Sequence, residues 1–90
     1  MRRRTVTVFT KPGCHLCEEA IEAIEAMPGG ESVIDLGTVD IESSDELLAA
    51  YLERIPVVEV DGVEVSELLF DSEAFREAVG LTSGPSGQVA

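Results

Sequence analysis

The chain contains no tryptophan, one tyrosine and three phenylalanines among its 90 residues. With Phe9, Tyr51, Phe70 and Phe75 as its only large rings, any core must be filled by branched aliphatics. The 44% of apolar residues suffices for one modest globular core. Basic side chains are also scarce, with 6 Lys and Arg against 18 Asp and Glu and a net charge of -12. Three of those bases are Arg2, Arg3 and Arg4 at the N-terminal end. Such a balance argues against nucleic acid and anionic membrane surfaces as partners and reads otherwise as a solvated, solubilising surface. No apolar run approaches the roughly 18 residues of a membrane span. The stretch after the arginines, Thr5 to Phe9, is too short for a secretory leader and has no small-residue cleavage site. A cytoplasmic location is therefore expected. Two cysteines are too few for the disulfide framework of a secreted mini-protein, and in a reducing compartment a close pair is more often redox-active or metal-binding than structural.

What is present reads as one domain over 1–80, with a flexible tail over 81–90 rich in Ser, Gly and Pro. Thr5 to Thr10 alternates and is β-branched, which predicts a strand, and Lys11-Pro12-Gly13 ends it. From Cys14 to Met27, apolar positions at 17, 20, 21, 24 and 27 predict an amphipathic helix whose outer face carries Glu18, Glu19, Glu22 and Glu25. Pro28-Gly29-Gly30 stops it. Val33 to Ile41 predicts a second strand with a bulge or break at Gly37. Ser43 and Glu46 have capping-box spacing and predict a helix to about Leu52. Ile55-Pro56 enforces extended backbone before a strand at Val57 to Val60. Asp61-Gly62 predicts a tight hairpin turn into Val63 to Val65, and Asp71 or Ser72 caps a last helix ending at Gly80. The order is β-α-β-α-β-β-α, an α/β fold with one mixed four-stranded sheet and flanking helices.

The chemistry concentrates at Cys14-His15-Leu16-Cys17, where a strand hands over to a helix. A helix N-terminus favours negative charge, so the Cys14 thiolate is stabilised and its pKa is drawn below the about 8.5 of a free cysteine. Cys17, one turn inside and turned toward the apolar stripe, stays shielded as a thiol. Cys14 is the expected nucleophile and Cys17 the resolving residue of a dithiol exchange cycle. His15 is expected to tune the site or contact substrate rather than act as a base, because the helix start disfavours its protonation. Lys11 can approach the Cys14 sulfur as a positive charge. Two other readings remain open. One is a metal or iron–sulfur module using Cys14, Cys17 and His15, which offer only three ligands. The other is an adaptor domain that has kept the fold but not the chemistry.

Thr10-Lys11-Pro12-Gly13-Cys14-His15-Leu16-Cys17, Arg54-Ile55-Pro56-Val57-Val58 and Asp61-Gly62 together resemble the glutaredoxin family, in particular its short bacterial glutaredoxin-like branch. The resemblance spans roughly residues 5 to 80 and implies a thioredoxin-like fold and thiol–disulfide oxidoreductase activity on protein or glutathione-mixed disulfides. It implies that Pro56 is a cis proline facing the cysteine pair, and that the Ile55 backbone pairs with an extended substrate or with glutathione. Lys11, Arg54, Ile55 and Pro56 thereby become the expected substrate-binding residues. No tightly bound cofactor is implied, glutathione is a candidate co-substrate, a reductase would supply electrons, and a monomer is expected. One departure stands out. The family's Gly-Gly pair before the last helix, which lets backbone approach glutathione, is missing from Ser66-Glu67-Leu68-Leu69-Phe70-Asp71. Arg54 replaces a customary threonine, and its guanidinium would stabilise the Cys14 thiolate or grip a carboxylate.

Overall fold

The computed structural model describes residues 3–81. Four strands, β1 (Arg4–Thr10), β2 (Ile34–Asp40), β3 (Val57–Val60) and β4 (Val63–Glu67), form one sheet in the order β2-β1-β3-β4. β1 runs parallel to β2 and antiparallel to β3, and β3 pairs antiparallel with β4. Helices α1 (His15–Glu25), α2 (Gly30–Val33), α3 (Asp45–Tyr51) and α4 (Ser72–Val79) complete the chain.

Alternation along the central strands divides the core between the two sheet faces. Val6, Val8, Val58 and Val60 pack with Ile24 and Met27 from the α1 side and with Phe75 and Val79 of α4. On the opposite face Phe9 and Val57 meet Ile41 and the α3 side chains Leu47, Leu48 and Tyr51. Phe9 and Tyr51 stack with ring centroids 4.4 Å apart. The Asp61-Gly62 turn takes positive φ at both residues, 53° and 85°, as a two-residue hairpin of matching twist requires. Asp61 also fastens that turn to β1. Its Oδ1 accepts the Thr5 N–H at 3.0 Å and its Oδ2 pairs with Arg4 at 3.0 Å.

Three local expectations are corrected. β2 runs unbroken through Gly37, which stays in register with Thr7. The bulge lies instead in β4, where the register shifts between Val58 and Glu59 and Val65 becomes the extra residue. Gly30–Val33 forms a single helical turn, too short for any periodicity to announce. The α3 cap is Ser44, not Ser43, and its Oγ accepts the Leu47 N–H at 3.0 Å. A 3-10 turn at Ile41–Ser43, started by Asp40 accepting the Glu42 N–H, buries Ile41 fully and delays the helix by one residue. Apart from Leu81, the predicted tail over 81–90 lies outside the described residues.

Candidate functional site

The interior strand β1 ends at Thr10, and Lys11-Pro12-Gly13-Cys14 turns the chain back. The Cys14 N–H donates to the Lys11 carbonyl at 3.2 Å, and Gly13 takes φ 82°. Proline second and a positive φ third is the combination a type II turn needs. That turn sets Cys14 at the N-cap of α1 with extended backbone, φ -85° and ψ 103°.

The sulfur of Cys14 does the capping. Its Sγ accepts the backbone N–H of Cys17 at 3.2 Å, while the Glu18 N–H bonds the Cys14 carbonyl at 3.1 Å. Such a sulfur lies where free amides and the helix dipole both favour negative charge. Cys14 and Cys17 are joined by a disulfide across a Cα–Cα distance of 5.2 Å. Cys17 is wholly buried and Cys14 only partly so, giving one sulfur access and the other shelter.

The Ile55–Pro56 peptide bond is cis. Ile55 and Val57, on either side of the buried Pro56, belong to the apolar cluster that holds Phe9 and Cys17, with Cys14 packed at its edge. The Leu68 N–H donates to the carbonyls of both Arg54 and Pro56, at 2.9 and 3.1 Å, and ties the end of β4 to this segment. Ile55 donates its own N–H to the Tyr51 carbonyl at 3.1 Å, so a pairing partner meets its carbonyl side.

The remaining predicted residues take varied places. Lys11 contributes its carbonyl to the turn, and its ammonium makes no ion pair with any described residue. His15 points along the outside of α1, 81% exposed, with Nε2 at 3.0 Å from Glu19 and Nδ1 at 4.0 Å from Glu18. Among the described residues no group of three or more His, Cys, Asp or Glu side chains converges as a metal site. No helix among them is long and apolar enough to cross a membrane.

Arg54 engages carboxylates of its own chain. It donates to Glu64 and, at 2.6 Å, to Glu67, and its guanidinium lies 5.4 Å from the Tyr51 ring centroid. The hydrogen bond to Glu64, followed by that to Glu67, raises its pKa further above the ordinary arginine value. Sequence reading missed both partners. Residues three apart on a regular strand face opposite sides, and only the bulge at Val65 brings Glu64 and Glu67 to one guanidinium.

Comparison with known proteins agrees with this geometry. None of the curated proteins compared matches the chain. Among solved structures, the solution NMR structure of protein Ne2328 from Nitrosomonas europaea is 26% identical, with a TM-score of 0.74 over 88% of this chain and 94% of that one. The X-ray structure of target protein XcR50 from X. campestris is 28% identical, with a TM-score of 0.66 over 86% and 97%. A mutant thioredoxin from Halobacterium salinarum, 19% identical with a TM-score of 0.55 over 94% and 79%, shares the fold alone. The family model described as "Glutaredoxin-like domain (DUF836)" matches residues 5–80. With a capped cysteine pair on a thioredoxin-like sheet and a family match over most of its length, the chain belongs to the glutaredoxin-like domain family.

Proposed function

We propose that the chain is a dithiol–disulfide oxidoreductase in which Cys14 attacks and Cys17 resolves. The observation that carries this reading is the Cys17 N–H held 3.2 Å from the Cys14 sulfur at the N-cap of α1. An amide aimed at that atom, with the helix dipole behind it, stabilises a thiolate more than a thiol. In the reduced protein the Cys14 thiolate attacks one sulfur of a substrate disulfide. A Cys14–substrate bond forms, and the other substrate sulfur leaves as a thiolate that takes up a proton. Cys17 then loses its proton, attacks the Cys14 sulfur and expels the second substrate thiolate. Two electrons have passed from the protein dithiol to the substrate, and the Cys14–Cys17 disulfide remains. A thiol reductant, either glutathione or the dithiol of a reductase, reopens it. The cycle suits a reducing compartment such as the cytoplasm. An extended substrate beside Pro56 would pair with the carbonyl of Ile55, because its N–H is engaged by Tyr51.

Reduction of hydroxyethyl disulfide by the pre-reduced protein tests the assignment. Cys14→Ser abolishes it, and Cys17→Ser gives one round of attack and accumulates the mixed disulfide on Cys14, visible by mass spectrometry. Full activity in Cys14→Ser would show that the chemistry lies elsewhere.

A further inference from the structure

We propose, building on the exchange reading above, that the substrate is a polypeptide disulfide flanked by basic and apolar residues, seated in a groove beside the cysteines, and not glutathione. The groove, about 410 Å³, runs between α1 and the segment entering α4 and is lined by Leu16, Glu19 and Ala20 on one side and Leu68, Leu69 and Phe70 on the other. One of its lining residues, Leu16, is flanked along the chain by the two cysteines. Leu16, Leu68 and Leu69 are 44%, 48% and 71% exposed, three of the five large apolar side chains most open to solvent among the described residues. Clustered exposure of this kind marks a binding surface, whereas singly scattered apolar residues do not.

The backbone supports the same conclusion. Leu68 has φ 66°, a left-handed conformation that is unfavourable for a residue with a Cβ. Leu68 thus holds a backbone conformation that favours glycine while its side chain and that of Leu69 line the groove.

Charge decides between the two kinds of substrate. Glu19 lines the groove and Glu18 stands on the neighbouring exposed surface of α1. Arg54 is closed by Glu64 and Glu67, and Arg4 is tied to Asp61 at the far end of β1. The ammonium of Lys11, without an ion pair among the described residues, is a small offset in a chain of net charge -12. Glutathione, with two carboxylates on each tripeptide, meets a repulsive field. A segment bearing Lys or Arg is drawn in, and its apolar side chains fill the groove.

Single-turnover exchange with the pre-reduced full chain tests the proposal against five probes: hydroxyethyl disulfide, glutathione disulfide, and three peptides sharing one disulfide but flanked by Lys and Leu, Glu and Leu, or Lys and Ser. The Lys–Leu peptide is expected to react at least about tenfold faster than the Lys–Ser peptide, the scale set by burying one leucine, and faster than the Glu–Leu peptide and glutathione disulfide, which carry the opposing charge. Added salt erodes its lead over the Glu–Leu peptide. In Leu69→Ser the Lys–Leu to Lys–Ser ratio falls toward one, and Leu69→Met restores it. Glutathione disulfide matching the Lys–Leu peptide, or a ratio unmoved by Leu69→Ser, overturns this proposal alone. Inertness toward hydroxyethyl disulfide overturns the exchange reading and this proposal with it.

Discussion

Replacing Cys14 separates two duties that one sulfur carries at the start of α1. As N-cap it accepts the Cys17 N–H at 3.2 Å, and as nucleophile it performs the proposed exchange. Serine keeps a hydrogen-bond acceptor at the cap and ranks among the best residues there, whereas alanine offers none. Loss of a capping side chain costs about 1 kcal/mol. For a domain of this size that shifts the thermal midpoint by roughly 4–8 °C. Cys14→Ala is therefore expected to melt about 4–8 °C below Cys14→Ser, while neither variant reduces hydroxyethyl disulfide. Circular dichroism melts under the same reductant give the comparison directly, and because both variants lack the disulfide, cross-linking does not enter the difference. Equal midpoints, or alanine above serine, would show that the helix does not draw on the side chain at position 14. The source argued for thiolate stabilisation would then be gone.

Other substitutions probe the rest of the account. The Ser66 hydroxyl is buried without a partner among the described residues, so Ser66→Ala should raise stability by about 1 kcal/mol in urea unfolding; a lower midpoint contradicts this. Phe75 is fully buried between α4 and the sheet, and Phe75→Ala is expected to cost about 3–5 kcal/mol by the same assay. A loss below about 1 kcal/mol would displace it from the core. His15 faces Glu18 and Glu19 on the exposed side of α1, and exposed pairs of this kind contribute little, so His15→Ala should keep hydroxyethyl disulfide reduction within about twofold. A tenfold or greater loss, about 1.4 kcal/mol, would make it part of the chemistry.

The succession of strands and main helices along the chain and the cysteine turn were legible because they rest on short-range rules. β-branched alternation fixed β1, the Pro-Gly pair before Cys14 fixed the turn, and Asp-Gly fixed the hairpin. Burial at every third or fourth residue placed Cys17, Ala20 and Ile24 on the inner face of α1, where they are found. What escaped depends on contacts between distant segments. The bulge at Val65 has no local marker, and without it the convergence of Glu64 and Glu67 on Arg54 cannot be foreseen. The shift of the α3 cap from Ser43 to Ser44 follows from burial of Ile41 against the α3 face of the sheet, a tertiary demand that overrides the capping-box spacing. In the sequence, the run from Ser66 to Asp71, which holds Leu68 and Leu69, shows only that the family's glycines are missing. The joint exposure of these leucines beside Leu16 emerges once α1 and the end of β4 are brought together.

The proposed function depends on a sulfur that the start of α1 would render anionic once the disulfide is reduced. Titrating thiolate absorbance in the fully reduced protein, with Cys14→Ser and Cys17→Ser to assign each step, measures this most directly. The account predicts that Cys14 ionises well below a free cysteine and that the buried Cys17 ionises after it. Two thiols that both titrate like free cysteine, or a Cys17 that ionises first, would contradict it.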